Sequence, residues 1–225
     1  MTERETLALY EKTGALLRGH FRLTSGLHSD VYLQSALVLQ YPEHAAALGA
    51  TLAASFRDAR VATVLAPAIG GILVAHEVAR ALDVLARHEV ERAPGVLARH
   101  EVACAPGVLA RHEVARALGV RALFTERENG VMRLRRGFTL SPGERCLVVE
   151  DVITTGGSTR EVIACVEEAR GVVVGVGSLI DRSSGAATFG VTHVALAAVA
   201  ATNYSPETCP LCRAGSQPIK PGSRA

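Results

Sequence analysis

The sequence lacks tryptophan, and phenylalanine and tyrosine supply the whole 4% aromatic content of its 225 residues. Single-stranded nucleic acids are usually held by bases stacked on aromatic side chains, so a stacking surface of that kind is not expected. Basic residues exceed acidic ones by only two, 24 against 22, and this balance gives no electrostatic support for binding a nucleic acid or a membrane surface. These shortages argue against both classes of partner.

Long hydrophobic runs and paired cysteines are also missing. No apolar run reaches the roughly 18 residues of a membrane-spanning helix. The first 14 residues contain acidic side chains and no apolar core, which is not the pattern of a signal peptide. The five cysteines are odd in number and scattered, so we expect a reducing, cytoplasmic location rather than a disulfide framework. The apolar fraction of 48% is ample for a buried core.

A tandem repeat occupies the middle of the chain. Four copies of a 12-residue segment begin at His76, His88, His100 and His112. Twelve residues are too few for a helical hairpin in each copy, and prolines at 94 and 106 prevent one straight helix. No HExxH zinc motif is present. We interpret residues 77–112 as a 36-residue insertion in a single domain that spans 1–225, leaving 189 residues for the domain itself.

Five apolar runs without polar alternation predict the fold. They are separated by helical stretches and cover residues 61–68, 120–126, 145–151, 172–181 and 191–200. Continuous apolar strands that alternate with helices are typical of a parallel sheet covered on both faces. Ligands of such sheets bind beyond the carboxyl ends of the strands, so the residues that follow each run are the candidates for a site.

The segment LVVEDVITTGGSTRE, residues 147–161, has the most informative strand end. Its apolar run leads into the carboxylates Glu150 and Asp151, and a threonine- and glycine-rich turn then enters a helix. Backbone N–H groups of such a turn and the positive end of the helix can hold a phosphate. Neither a Walker loop nor a GxGxxG turn is present. Two acids before a phosphate site suit a ribose phosphate, because they can accept hydrogen bonds from vicinal hydroxyls.

The stretch VVEDVITTGGST resembles the phosphoribosyl-pyrophosphate signature of type I phosphoribosyltransferases. The resemblance implies an α/β fold with a five-stranded parallel sheet, flanking helices and a small hood, formed mainly by residues 1–40 and a C-terminal part. It implies that Glu150 and Asp151 hold the ribose hydroxyls and that Asp151 is catalytic. The other residues implied to bind phosphoribosyl pyrophosphate are Val152, Ile153, Thr154, Thr155, Gly156, Gly157 and Ser158. Mg²⁺ is implied as the cofactor, bound through substrate oxygens without a direct protein ligand.

Further segments resemble orotate phosphoribosyltransferases. Residues 20–34, HFRLTSGLHSDVYLQ, are similar to the hood of that family, which implies that Ser25 and Tyr32 contact orotate together with Thr154. Arg182 follows a predicted strand, and its guanidinium fork matches a carboxylate. The implied reaction transfers the phosphoribosyl group from phosphoribosyl pyrophosphate to orotate in pyrimidine biosynthesis, forming orotidine 5′-monophosphate and pyrophosphate. The resemblance also implies a homodimer.

Lysine is nearly absent, with two lysines against 22 arginines. In this family lysines often occupy the mobile catalytic loop, the hood and the pyrophosphate loop. Here the loop, residues 124–138, has no lysine, Thr24 stands at the hood position, and Gly70 stands in the pyrophosphate loop, residues 66–75. Arg127 is the best-matched cation, and we expect it to act in catalysis and to bind pyrophosphate with Gly70. Arginine stays protonated, so it can stabilise charge but cannot donate a proton.

Two other functions fit parts of the pattern. A purine phosphoribosyltransferase shares the acid pair and the phosphate turn but does not need Arg182 or the hood segment. A non-catalytic regulator that binds phosphoribosyl pyrophosphate would need a DNA-binding module or a basic face. Cys209 and Cys212 form a single CxxC, and four-thiolate zinc needs two such pairs, so no metal held directly by the protein is expected. His20 and His28 of the hood could line the base pocket or lie on the surface.

Overall fold

The computed structural model describes residues 1–23, 25–92 and 120–221, and within 83–92 it describes the backbone alone. Thr24 and most of the predicted insertion therefore lie outside the described residues. In chain order the strands are β1 (Leu16–Arg22), β2 (His28–Leu33), β3 (Thr63–Pro67), β4 (Arg121–Glu128), β5 (Val131–Leu134), β6 (Arg145–Ile153), β7 (Val172–Asp181), β8 (His193–Ala198) and β9 (Asn203–Tyr204). The helices are α1 (Glu3–Lys12), α2 (Ala36–Leu39), α3 (Pro42–Ala54), α4 (Gly70–Arg92), α5 (Gly157–Glu168) and α6 (Pro210–Arg213), with a 3₁₀ turn at Arg57–Ala59. Within the described ranges, none of the helices has the length and apolar character to cross a membrane.

The central sheet has the strand order β5-β4-β3-β6-β7-β8. Five strands run parallel, which confirms the predicted parallel sheet, and β5 adds one antiparallel edge strand. The sequence predicts a loop at these residues, whereas the structure forms a β4–β5 hairpin there. Its two-residue turn is Asn129-Gly130, with φ of 52° and 84°, as hairpin turns of this kind require.

Both faces of the sheet are covered by helices. Alternate residues of each central strand point to opposite sides, so each strand contributes to both cores. Val64 and Leu147 belong to the core beneath α3 and α4, where they join Leu48, Leu52, Val74 and Val78. Leu65 and Val148 belong to the second core, with Val162 and Val166 of α5. Every residue of β3 is buried, which explains why its sequence is apolar after Thr63, whose hydroxyl donates to Glu144.

The repeat begins inside α4, whose first part is well packed. Val78, Ala79, Ala81 and Leu82 are buried there. These residues belong to the segment EVARAL at 77–82, and the same six letters recur at 113–118. Removing 77–112 or 83–118 therefore gives one and the same shortened sequence. That sequence keeps every described side chain of α4 and joins Leu82 directly to Gly119.

A second, smaller sheet has the order β1-β2-β9, with antiparallel pairs. The C-terminal tail lies along it, because the backbone of Ile219 accepts from Arg22 at 2.8 Å and donates to His20 at 2.8 Å. Ser29 of β2 contacts Arg182, which directly follows β7, at 3.3 Å. The small sheet therefore lies against the carboxyl edge of the central sheet.

Candidate active site

The turn between β6 and α5 is built to approach an anion. Gly156 has φ of 75°, and a Cβ at that position would lie 2.9 Å from the ring of Phe189, so both its backbone and its surroundings require glycine. The side chain of Arg160 donates to the carbonyl of Thr155 at 2.8 Å and holds the turn in place. The first N–H groups of α5 have no partner within the helix and can bind an anion. Thr154, Thr155 and Gly157 are exposed, and Ser158 is partly exposed.

The predicted acid pair consists of two unlike carboxyl groups. Glu150 is buried, and its pKa is raised to about 8 by burial first and then by the neighbouring charge of Asp151. A hydrogen bond to Asp151 raises it further, against the opposing hydroxyl of Thr159. Asp151 is partly exposed. At neutral pH the buried acid is therefore mainly protonated, so the pair offers a hydrogen-bond donor beside acceptor oxygens.

The loop after β3 meets this acid pair. A Cβ on Gly70 would lie 2.8 Å from Oδ1 of Asp151, and one on Gly71 would lie 2.6 Å from the Cβ of Ala66. The absent side chains thus let the loop backbone approach both the strand and the carboxylate. The structure brings Gly70 and Asp151 together, as expected for two strand ends at one edge of a parallel sheet.

Arg182 lies next to the end of β6. Its backbone N–H donates to the carbonyl of Ile153 at 2.7 Å. Its Nη2 donates to the Ser29 hydroxyl at 3.3 Å, while its Nε is buried and has no hydrogen-bond partner in the described part of the chain. Burial lowers the pKa of Arg182, and the charge of Asp30 opposes that shift. A partly buried guanidinium with an unused donor is suited to a carboxylate ligand.

The other two predicted base contacts lie in the small sheet. Tyr32 is partly exposed, and its ring centre is 5.8 Å from that of Phe21. Ser25 is exposed in the turn between β1 and β2. The contacts described for these two residues do not reach Thr154 or Arg182. Ser29 is the hood residue that does meet Arg182; it is fully buried, and we did not assign it to the site from the sequence.

Arg127 is held against α5. Its Nη2 is 2.6 Å from Oε2 of Glu161, and its Nη1 donates to the carbonyl of Gly130 at 3.0 Å. Its described contacts therefore do not include Gly70 or Asp151. Two other arginines of the segment are also paired. Arg136 forms two 2.8 Å hydrogen bonds with Glu126 and lowers the pKa of that carboxyl, and Arg135 lies 3.1 Å from Glu128.

Known proteins share this architecture. Residues 38–188 match the model of the phosphoribosyl transferase domain. Orotate phosphoribosyltransferases of Pelotomaculum thermopropionicum and Acidithiobacillus ferrooxidans are 48% and 47% identical to this chain; both alignments cover 100% of this chain, and they cover 99% and 98% of the respective relatives.

Solved structures show the same fold. An orotate phosphoribosyltransferase from Aeropyrum pernix aligns with a TM-score of 0.56 at 24% identity, covering 85% of this chain and 92% of that one. The Mycobacterium tuberculosis enzyme in complex with phosphoribosyl pyrophosphate aligns with a TM-score of 0.55 at 19% identity, covering 88% and 92%.

Proposed function

The chain belongs to the phosphoribosyltransferase family, and from that premise we propose that it transfers the phosphoribosyl group of phosphoribosyl pyrophosphate to orotate. The products are orotidine 5′-monophosphate and pyrophosphate, and the reaction is a step of pyrimidine biosynthesis. The full-length similarity to orotate phosphoribosyltransferases supports this choice of base. The observation that carries it is the partly buried guanidinium of Arg182 beside the phosphate turn, whose Nε has no hydrogen-bond partner among the described residues.

The phosphoribosyl group is held at both of its ends. The backbone N–H groups of 154–158 and the start of α5 bind the 5′-phosphate, and the threonine and serine hydroxyls add donors. Glu150 and Asp151 bind the ribose hydroxyls. Their different protonation is useful here, because a hydroxyl can both donate to a carboxylate and accept from a carboxylic acid. The carboxyl group of Asp151 also stabilises the positive charge that develops on the sugar as pyrophosphate leaves.

Orotate is oriented by its carboxylate. Arg182 provides the matching cation, and Ser25, Tyr32 and Thr154 complete the pocket once the hood closes over the base. The ring nitrogen then attacks the anomeric carbon, a bond forms between them, and the bond to pyrophosphate breaks. Positioning and electrostatics supply most of the rate enhancement in such a displacement.

Pyrophosphate leaves between the loop after β3 and a cation. The backbone at Gly70 approaches it without a side chain in the way. Arg127 neutralises the developing charge, and to do so its guanidinium exchanges Glu161 for the pyrophosphate. Because the β4–β5 hairpin carries this arginine, a movement of the hairpin would couple the exchange to exclusion of water from the site.

The residues at the sheet edge fit Mg²⁺ brought in by the substrate. A carboxylate such as that of Asp151 is an oxygen donor of the kind this ion takes, and the backbone at Gly70 comes so close that a Cβ there would lie 2.8 Å from Oδ1 of Asp151. When bound, Mg²⁺ would neutralise charge on the pyrophosphate. Substrate oxygens and water would be its main ligands, without a direct protein ligand.

We further propose a homodimer in the cytoplasm, with residues 77–112 as an insertion in one domain. Ile69 and Leu73 are 85% and 48% exposed at the start of α4, which leaves apolar surface for a second copy to cover. None of the cysteines that the structure describes forms a disulfide, which fits a reducing compartment.

A substrate panel tests the proposed function. The purified protein is given phosphoribosyl pyrophosphate, Mg²⁺ and one base at a time, namely orotate, adenine or guanine. We expect orotate to be consumed with equimolar release of pyrophosphate and the purines to remain. Asp151→Asn is expected to abolish turnover, while Asp58→Asn, an exposed change in the 3₁₀ turn, serves as the matched control. Consumption of a purine with orotate untouched would overturn the proposal, and so would the absence of any turnover.

A further inference from the structure

Four side chains from the hood and the C-terminal tail meet in one buried cluster. His20 lies in β1, His28 lies in β2, Cys209 precedes α6 and Cys212 lies within it. Each residue offers one potential ligand atom, a ring nitrogen or a sulfur, and these four atoms all lie within 4.8 Å of one another. His20, His28 and Cys209 are buried, and Cys212 is partly exposed. None of these residues belongs to the site described above.

Four of the six distances within the cluster are close to those of a tetrahedral metal centre, and the other two are no longer than 4.8 Å. Zinc bonds of about 2.3 Å to sulfur and about 2.0 Å to nitrogen place two nitrogens about 3.3 Å apart and a nitrogen and a sulfur about 3.5 Å apart. Nε2 of His20 is 3.0 Å from Nδ1 of His28. Cys209 Sγ is 3.5 Å from His20 Nε2, and Cys212 Sγ is 3.7 Å from that atom and 3.3 Å from His28 Nδ1.

A hydrogen bond outside the cluster selects the ligating nitrogen of His20. Nδ1 of this ring lies 3.1 Å from the carbonyl oxygen of Ser216, which can only accept, so Nδ1 carries the proton. Nε2 then presents its lone pair to the centre of the cluster. An outer hydrogen bond of this kind is the usual partner of a metal-bound histidine, where it fixes both tautomer and ring orientation.

Hydrogen bonding alone does not satisfy the cluster. With its proton on Nδ1, His20 has one lone pair at Nε2, and three groups surround it: the His28 ring and the two thiols. If His28 Nδ1 donates to His20 Nε2, neither thiol has a ring nitrogen left to accept its proton; if His28 Nδ1 accepts from Cys212 instead, two ring lone pairs face each other at 3.0 Å. A cation at the centre uses all four lone pairs at once.

We propose that His20 Nε2, His28 Nδ1, Cys209 Sγ and Cys212 Sγ bind one Zn²⁺ ion. Two thiolates and two imidazoles are a zinc-type set, whereas Mg²⁺ and Ca²⁺ take oxygen ligands. The two thiolates balance the charge of the ion, which lowers the free-energy cost of burying it. All four positions are filled by the protein, so the ion is structural rather than catalytic.

The ion fastens the C-terminal tail to the hood. The tail already exchanges backbone hydrogen bonds with β1 through Ile219, and the metal adds a second attachment that includes β2. His28 directly precedes Ser29, the residue that contacts Arg182. The hood sheet has only three short strands, and a small unit of this kind gains much of its stability from a structural metal.

Metal analysis of the wild-type protein tests the site without reference to activity. The protein is expressed with zinc available and purified in reducing buffer without a histidine tag or chelator. We expect one zinc ion per chain by elemental analysis. Cobalt(II) added to the reduced, metal-free protein should give the intense visible absorption of a tetrahedral ion and a thiolate-to-cobalt charge-transfer band. Absence of bound zinc together with absence of both cobalt signals in folded protein would overturn the proposal.

Single substitutions assign the ligands. Cys212→Ser changes the most exposed ligand, so it disturbs packing least, and we expect loss of zinc and a changed cobalt spectrum. The control Cys165→Ser alters a buried cysteine of α5 that contacts the carbonyl of Met132, and we expect it to keep the wild-type metal content. Zinc content and cobalt spectrum unchanged in Cys212→Ser would contradict the assignment. The wild-type cobalt titration decides the question even if a variant fails to fold.

Discussion

Replacing Arg182 with methionine separates function from stability. The guanidinium is partly buried, and within the part of the chain that the structure describes it has one long hydrogen bond, to Ser29, and no partner for its Nε. Removing a poorly satisfied buried charge while keeping the apolar volume should stabilise the ligand-free protein by about 1 kcal/mol. In a chain of this size that raises Tm by roughly 2–4 °C. A residue retained at such a cost is expected to serve a ligand.

The same substitution should remove most of the affinity for orotate. A charged hydrogen bond to a carboxylate contributes about 1.5–3 kcal/mol, and two of them are lost. We expect KM for orotate to rise by roughly 10²- to 10³-fold, since water replaces part of the lost interaction. KM for phosphoribosyl pyrophosphate should change little, because the phosphate turn is untouched.

Steady-state kinetics with orotate and uracil provide the assay. Uracil has the same ring without the carboxylate, so the wild type should prefer orotate strongly, and Arg182→Met should lose most of that preference. Arg57→Met is the matched control, because Arg57 is exposed and lies at the opposite edge of the sheet. Its neighbour Phe56 packs on Gly175, near the start of β7. An Arg182→Met enzyme with unchanged KM and unchanged preference would refute the reasoning.

Three further predictions concern the acid pair, the hairpin arginine and the repeat. The pKa of Glu150 is near its ordinary value of 4.5 in the unfolded chain and about 8 in the fold, so the wild type loses stability as pH rises between these values. The Tm of Glu150→Gln relative to that of the wild type should therefore increase as the pH is raised from 5 to 8. Arg127→Ala should lower kcat by about 10²-fold, because it removes charge stabilisation of the leaving pyrophosphate. Removal of 83–118 should leave a folded enzyme with near wild-type kcat and KM, because every described side chain of α4 is retained.

Each of these predictions has an outcome that contradicts it. A pH-independent Tm difference for Glu150→Gln would mean that this carboxyl does not titrate as described. Arg135→Ala serves as the control for Arg127→Ala, because Arg135 pairs with Glu128 in the same hairpin. Equal kcat in both variants would remove Arg127 from the mechanism. A shortened chain that folds, as judged by circular dichroism, and yet is inactive would give the repeat a part in catalysis.

The parallel sheet was predictable because its physical cause is written in the sequence. Strands buried on both faces, such as β3, must be mainly apolar, and each of the five predicted runs became one of the parallel strands. Edge strand β5 was not predicted, because the family resemblance indicated a loop at these residues. The Asn129-Gly130 pair, a strong hairpin signal, could have revealed it.

The site was predictable only in part. The approach of Gly70 to Asp151 follows from the rule that parallel strands end at one edge, and the structure brings the two together. The pairing of Arg127 with Glu161 depends on how the hairpin folds back on α5, which no local pattern indicates.

The metal cluster shows the limit of reading the sequence locally. The CxxC at 209–212 supplies half of a zinc site, and the other half is 189 residues away in the hood. From the sequence, therefore, no metal bound directly by the protein is expected. His20 and His28 are eight residues apart on paired strands, and only the tertiary packing of the tail brings the four ligands together.

A crystal structure with orotidine 5′-monophosphate bound tests the central claim most directly, because this product carries both the phosphate and the carboxylate. We expect its phosphate against the backbone of 154–158, its ribose hydroxyls at Glu150 and Asp151, and its carboxylate at Arg182. A nucleotide bound in that turn with its carboxylate directed away from Arg182, or bound elsewhere on the molecule, would contradict the account.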